Sequence, residues 1–406
     1  MSILIRNARV LTLAAGAIPR RGPELAELSV RPKADVLVRD GVVVAVGESL
    51  AVDGPAPAEV IDAAGRVLMP GFVDAHTHAC WAGDRLTEFE QRTRGLPYRE
   101  ILATGGGTMA TVRAVREATR KQLAANLKAQ LDLLLRQGTT TVEVKSGYGL
   151  TLEHELKQLH AIQRAANEWP GTVTPTALLG HAIEGDEETF TREVVREVLP
   201  AVWHEFPGIA IDAYAERGAW TVEACVRLFE RARKHGLPIR AHTDQFSSLG
   251  LIPEALRLHA ASVDHLESAS PDDLDAVAAS HTAAVLLPIT GFCTNGRYAR
   301  GRRLVERGAN VVVATDLNPG TAPSSSMPLA LALAVRGCRL TPAEAISAAT
   351  VNAAALLGLR DRGTITPGQR ADLILLRHRD ERILAYELGG NPVDIVVCRG
   401  QVVARL

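Results

Sequence analysis

The residue types best suited to chemistry in this chain are its histidines, and two of them stand one residue apart in Phe72-Val73-Asp74-Ala75-His76-Thr77-His78. The run before them, Val67-Leu68-Met69-Pro70-Gly71, is short and apolar and reads as a buried strand. Residues two apart in a strand face the same side, so both imidazoles enter one space. Two converging imidazoles suit a divalent transition metal. Taken alone, the pair fits equally well two hydrogen-bonded histidines at a strand end. The remaining candidates decide between these readings: His181 after Leu179-Gly180, His242 after Ala241, His265 after Asp264, and Asp316 after Thr315.

Something must bring these residues together. Eight short runs rich in Val, Ile, Leu, Ala or Thr recur at 67–75, 139–146, 172–180, 209–216, 237–243, 261–266, 282–289 and 309–316. Longer helical patterns separate them. Near-continuous apolar runs suit parallel strands covered on both faces, and strand–helix alternation repeated eight times predicts a (β/α)₈ barrel. The spacing predicts a long amphipathic helix over 108–137, ended by Gly138, and another over 151–168, stopped by Pro170-Gly171. The last helix opens at Thr341-Pro342-Ala343-Glu344, a capping-box pattern with proline at the first helical position. Both chain ends read as strands. Val36 to Gly47 holds two β-branched runs around Asp40-Gly41, a hairpin signal, and 371–376 and 393–403 have the same texture. Neither end is long enough to bury a core alone. The expected architecture is therefore a barrel over 66–365 and a small, discontinuous β-sandwich domain from 1–65 plus 366–406.

Composition narrows the function. The chain has 406 residues, 45 basic and 46 acidic side chains and a net charge of −1, which leaves no footprint for nucleic acid or an acidic membrane surface. Its 5 cysteines are scattered and form no Cys-x-x-Cys pair, which fits a reducing compartment. The N-terminus lacks the pattern of a signal peptide, and no run of about 18 apolar residues occurs. A cytoplasmic protein is expected. Gly105-Gly106-Gly107 precedes a helix but lacks the Lys-Ser/Thr of a phosphate loop, so nucleotide binding is not expected.

Barrel enzymes build their sites at the C-terminal ends of the strands, and the polar residues fall there: histidines at the ends of strands one, three, five and six, and an Asp at strand eight. His76, His78, His242 and Asp316 offer three neutral nitrogens and one carboxylate. That set suits one Zn²⁺ or Fe²⁺ with an open position for water, whose pKa such an ion lowers to about 7. Asp316 can hold the ion and also take the water's proton. His265 has no necessary place among the four and reads as a donor that orients the water and stabilises developing negative charge. His154, His160, His204, His235, His259, His281 and His378 read as surface or capping residues. Lys145 ends strand two. Carbamylation would make it a bridging ligand, but an ion-paired lysine, with Glu143 as partner, is the preferred reading.

The Pro70-Gly71-Phe72-Val73-Asp74-Ala75-His76-Thr77-His78 stretch resembles the amidohydrolase superfamily. So do Asn352 to Leu359, Gly363-Thr364-Ile365 and Gly368 to Leu373. The resemblance implies a barrel with a small β domain from both ends. The fourth run, 209–216, offers no lysine for the carbamylated bridge of the binuclear subtypes. More specific are Gly83-Asp84-Arg85, Tyr98-Arg99-Glu100-Ile101, Gly105 to Thr108, Lys145 to Leu150, Gly180-His181-Ala182 and Thr315 to Gly320. Over nearly the whole chain this series is similar to the imidazolonepropionase family of histidine catabolism. The resemblance implies hydrolysis of the cyclic amide C–N bond of 4-imidazolone-5-propanoate to N-formimidoyl-L-glutamate. It implies that Arg85 grips the propionate carboxylate, which a guanidinium pairs in two-pronged fashion. Tyr148 and His181 are then substrate contacts, Asn318, Gly320 and Thr321 line the ring or product, and Tyr98 stands at the mouth. One departure matters. Certain relatives carry Glu three residues after the strand-five histidine, where this chain has Gln245. An amide cannot be a general base, so Gln245 is expected to bind the ring, Asp244 to point away, and proton transfer to rest on Asp316 with His265.

A related mononuclear amidohydrolase that deaminates or hydrolyses another heterocycle would share the ligand set and would release ammonia if it is a deaminase. A barrel kept only as a scaffold would have no reason to hold the ligands together. Relatives of this fold are often dimers, so a homodimer is the expected assembly, and 83–107 is expected to act as a lid.

Overall fold

The computed structural model describes residues 2–51, 55–96 and 106–406. Among them, eight parallel strands follow one another around a sheet: Phe72–Asp74, Thr139–Lys145, Thr172–Gly180, Ala210–Ala215, Ile239–Thr243, Ser262–His265, Ala283–Leu286 and Asn310–Val313. The first and last strands meet just beyond their ends. There Thr77 bridges Leu317, His78 N donates to Leu317 O at 2.9 Å and Asp316 N donates to His76 O at 3.1 Å. This makes the expected (β/α)₈ barrel, and the closure itself carries three of the candidate site residues. Along each strand the residues alternate. Val142, Val144, Ile211, Ala241 and Val263 face the helices and join the main core, which sends the intervening side chains into the barrel.

The chain ends form the second sheet, in the order Gln401–Arg405, Val393–Cys398, Leu373–Leu376, Val67–Pro70, Ser2–Leu11, Val30–Arg39, Val42–Gly47, with Glu59–Asp62 beside Ser2–Leu11. The predicted hairpin is present: Arg39 pairs with Val42 across Asp40 (φ 49°) and Gly41 (φ 84°), the left-handed pair that this turn requires. Ile3, Val36, Leu373 and Ile395, among others, share a separate apolar cluster, so strands from both ends cover one another's faces.

Two expected elements come out differently. The run 67–75 is not one strand. It splits at Gly71, with Val67–Pro70 pairing in the end-built sheet and only Phe72–Asp74 in the barrel. A Cβ at Gly71 would lie 2.4 Å from Thr140 Oγ1, so the crossing between sheets depends on glycine. Hydrophobicity could not show the split, because both halves are fully buried. The helix expected over 108–137 is two, Thr108–Glu117 and Arg120–Arg136. The second begins at a capping box in which Thr119 and Gln122 bond each other's backbone N–H groups. The Thr341–Glu344 capping box is present as read. No helix among the described residues is long and apolar enough to cross a membrane.

Candidate metal centre and substrate cavity

His76 and His78 lie just past the end of the first barrel strand rather than within it, and Thr77 between them is pinned to the second strand. Thr77 N donates to Glu143 Oε2 at 3.1 Å, Thr77 Oγ1 to Glu143 O at 2.7 Å, and Lys145 N to Thr77 O at 2.9 Å. Asp316 and His265 also sit past or at their strand ends, with left-handed backbones (φ 58° and 87°). Non-glycine residues held there occur in turns and at functional sites, and Asp and His adopt this conformation more readily than most.

The ring nitrogens fall into two classes. His76 Nδ1 is 2.6 Å from Asp264 Oδ2, and His242 Nδ1 is 2.9 Å from Asp212 Oδ1. A carboxylate only accepts, so both Nδ1 atoms carry the proton and both Nε2 atoms offer lone pairs. Those lone pairs converge. His242 Nε2 is 3.3 Å from His78 Nε2, and Asp316 Oδ1 is 3.5 Å from His76 Nε2 and 3.4 Å from His78 Nε2. His76 Nε2 and Asp316 Oδ1 are buried with no hydrogen-bond partner. Tetrahedral Zn²⁺ with bonds of about 2.0–2.1 Å spaces its ligand atoms about 3.3 Å apart. The donor set therefore fits a divalent cation, with aspartates behind two of the histidines in the usual carboxylate–histidine arrangement. His265 is nearer than expected: ligating atoms of His76, His265 and Asp316 all lie within 4.8 Å of one another, as do those of His76, His78 and His242.

Electrostatics match this reading. Burial pushes the His76 and His78 imidazoles well below their usual range, with neighbouring cationic groups adding to it, so both are neutral ligands. Burial raises the Asp316 carboxyl, partly opposed by His265 and by the Thr290 hydroxyl that donates to its Oδ2. Burial alone would lower His265, but the Glu267 carboxylate 3.5 Å from its Nδ1, together with Asp316 and Asp264, outweighs it and raises the imidazole.

Above this centre lies a cavity of about 500 Å³ whose walls bring together His78, His242, His265 and Asp316 with Arg85, Tyr148, His181, Gln245, Asn318, Gly320 and Thr321. The individual side chains have partners within the protein. Arg85 Nε and Nη2 pair with Glu88, which also accepts from Gly107 N at 2.9 Å. A Cβ at Gly320 would be 3.1 Å from Arg85 Nη1, so glycine leaves that edge of the guanidinium room. His181 stacks on His78 at 5.1 Å, and its Nδ1 faces Gly147 O at 3.0 Å; burial lowers it to about 3, so it is a neutral ring with Nε2 as acceptor. Tyr148 packs against His181 at 5.1 Å. Gln245 Oε1 accepts from Tyr214 Oη at 2.7 Å, leaving its amide N–H groups as donors. Asn318 borders the cavity, yet its side chain bonds Asp316 O, Thr321 Oγ1, Gly320 N and Thr321 N, so it shapes its own loop. Asp244 takes no part in the cavity wall; Thr243 Oγ1 donates to its Oδ1 at 2.6 Å. Tyr98 and the middle of the expected lid lie outside the described residues. Other histidines have structural partners: His154 with Thr151 at 2.8 Å, His160 with Glu205 at 2.6 Å, His235 stacked on Trp203 at 4.2 Å.

Lys145 is ion-paired to Glu143 at 2.7 Å as expected, and also to Asp212 at 2.9 Å. With both carboxylates on its Nζ it is not placed as a bridging ligand. Asp212, Asp264 and Arg240 were not anticipated. The available signal was a charge at an inward position of an otherwise apolar strand, which must be paired to be tolerated.

The model of the "Amidohydrolase family" matches residues 67–403, and the chain belongs to that family. A protein named imidazolonepropionase from Herpetosiphon aurantiacus is 43% identical over 402 residues, covering 95% of this chain and 94% of that one. One of the same name from Deinococcus deserti is 44% identical over 386 residues, covering 95% of each. Within the amidohydrolases, then, the chain belongs with the imidazolonepropionases, hydrolases of C–N bonds that act on small molecules. Solved structures with the same fold include a zinc-bound adenosine deaminase from Xanthomonas campestris, with a TM-score of 0.71, 20% identity and coverage of 98% of this chain and 92% of that one. Another is an atrazine chlorohydrolase from Arthrobacter aurescens complexed with zinc, with a TM-score of 0.73, 17% identity and coverage of 99% and 95%.

Proposed function

We propose that this chain opens the ring of 4-imidazolone-5-propanoate with water to give N-formimidoyl-L-glutamate, using one divalent ion, Zn²⁺ or Fe²⁺, held by His76, His78, His242 and Asp316. The observation that carries the reading is the convergence of three ring nitrogens, two of them left unprotonated by the aspartates behind their rings, and one unpartnered carboxylate oxygen on the floor of a cavity rimmed by Arg85. When bound, such an ion supplies a Lewis acid and brings the pKa of water to about 7. The chain's own residues do the rest. Arg85 holds the propionate carboxylate and turns the ring carbonyl toward the floor. Gln245 donates to the ring, and His181 accepts from it. Asp316 takes the proton of the attacking water. His265, held toward its charged form by Glu267, donates to the oxygen on which negative charge develops. The carbonyl-carbon–nitrogen bond then breaks, the nitrogen leaves with the proton that Asp316 took from water, and the carbon becomes the new carboxylate.

The test is metal content together with an absorbance assay for loss of imidazolonepropionate. About one ion per chain and loss that stops on chelation are expected. Metal without that activity, and ammonia released from another heterocycle, would move the substrate to the deaminase class. A homodimer in the cytoplasm remains the proposed setting.

A further inference from the structure

Behind the ligands runs a continuous path of buried charges. From His76 Nδ1 it passes to Asp264 (2.6 Å), then Arg240 (2.7 Å), Glu143 (3.2 Å), Lys145 (2.7 Å), Asp212 (2.9 Å) and ends at His242 Nδ1 (2.9 Å). Signs alternate along it, and every side chain on it is at most 3% exposed. The strands set its register: His242 stands beside Asp264, and Arg240 beside Asp212. The path also reaches a third ligand, because Glu143 Oε2 accepts from the backbone N–H of Thr77, between His76 and His78.

Such an array is poor material for stability. Each buried charge loses its hydration, and apolar residues of like volume often serve a fold as well or better. What the array does give is definition. Two carboxylates held in place by two cations require His76 and His242 to carry their protons on Nδ1. Both Nε2 lone pairs are thereby aimed at one point before any ion arrives. We infer that Lys145 and Arg240 are positioning residues for the metal: through Asp212 and Asp264 they preset the tautomers of His242 and His76 and so set the affinity of the site. This rests on the metal reading of the preceding section.

The experiment uses the full chain and Zn²⁺ itself, titrated against a competing chromophoric chelator. Lys145→Met keeps much of the side-chain length, touches no ligand and removes the cation between Glu143 and Asp212. Its Zn²⁺ dissociation constant is expected to rise about 10- to 100-fold, the usual consequence of disturbing a partner behind a ligand. At saturating Zn²⁺ the KM should stay that of the parent. A dissociation constant within twofold of the parent would overturn the inference, whatever happens to the melting temperature, since a purely structural role moves only the latter. The parent protein supplies an independent measurement. After chelation, ¹⁵N–¹H correlation of the imidazoles should show His76 and His242 protonated at Nδ1; either ring protonated at Nε2 would also overturn it. A parent chain that binds no Zn²⁺ would instead remove the metal reading on which the inference stands.

Discussion

The two sides of the barrel interior are built from opposite materials. Across strands seven, eight and one, the inward positions are Ala283, Val285, Val312, Ala314, Val73 and Ala75, packed with Ala353 and Ala354 of the helix Val351–Leu356. Across strands two, four, five and six they include Glu143, Lys145, Asp212, Arg240 and Asp264. Both sides are equally dry, so the difference is not one of access to water. The apolar side gains from burial itself, at about 25 cal/mol per Å² removed from water. The charged side gains little net energy from the same burial and yields directed groups instead. One side holds the barrel together, and the other tells two histidines which way to face.

If that division holds, the largest effect should come from breaking the charged side where it meets the metal. His242→Ala removes a ligand and leaves Asp212 without its imidazole. We expect substoichiometric metal and a fall in kcat/KM of more than about a thousandfold, because water then loses much of a lowering from 15.7 toward about 7. Metal analysis with steady-state rates decides it, and full metal content with near-parental rates would sink the ligand assignment. A smaller effect is expected at the rim, which belongs to neither side. Arg85→Ala should raise KM by about 10- to 100-fold, since a hydrogen-bonded charge is worth about 1.5–3 kcal/mol. kcat should change far less, the pattern of lost ground-state binding. The double variant Arg85→Ala with Glu88→Gln guards against a buried, unpaired Glu88 as the cause. An unchanged KM in both would contradict the assigned pose.

The fold was legible because strand–helix alternation is a long-range pattern that survives local error. The ligands were legible because histidine at a strand end is conspicuous in a 406-residue chain with 12 of them. The array behind them was not, since Asp212, Arg240 and Asp264 sit inside runs read as apolar. Counting parity back from His242 would have found one of its members, Arg240, two residues before it. Asp264 and Asp212 needed the register with strands six and four, which no single sequence states. Glu88 stands three residues after Arg85, a spacing that brings helical neighbours together, so that pair was readable. The loop built by Asn318 was not, because an asparagine can serve substrate or backbone with the same atoms. The split at Gly71 was hidden for a different reason: two buried strands in different sheets read as one apolar run.

The smallest effect on chemistry should come from the apolar side, and it completes the comparison. Val312 is fully buried in strand eight, four residues before Asp316, and packs in the Ala/Val cluster. Val312→Ala removes about two methylene equivalents, roughly 1.6 kcal/mol of transfer free energy at about 0.8 per group, plus a cavity cost that depends on how far the site can collapse. The main-chain bonds that close the barrel at Asp316 and His78 do not involve the Val312 side chain. The variant should therefore unfold at lower denaturant concentration while its Zn²⁺ dissociation constant and KM stay within twofold of the parent. Lys145→Met should instead weaken metal binding, and its melting temperature should fall as well, because Glu143 and Asp212 lose the cation between them. If Val312→Ala weakened metal binding as much as Lys145→Met does, the interior would be one coupled unit, and the array of charges would be only another way of filling it.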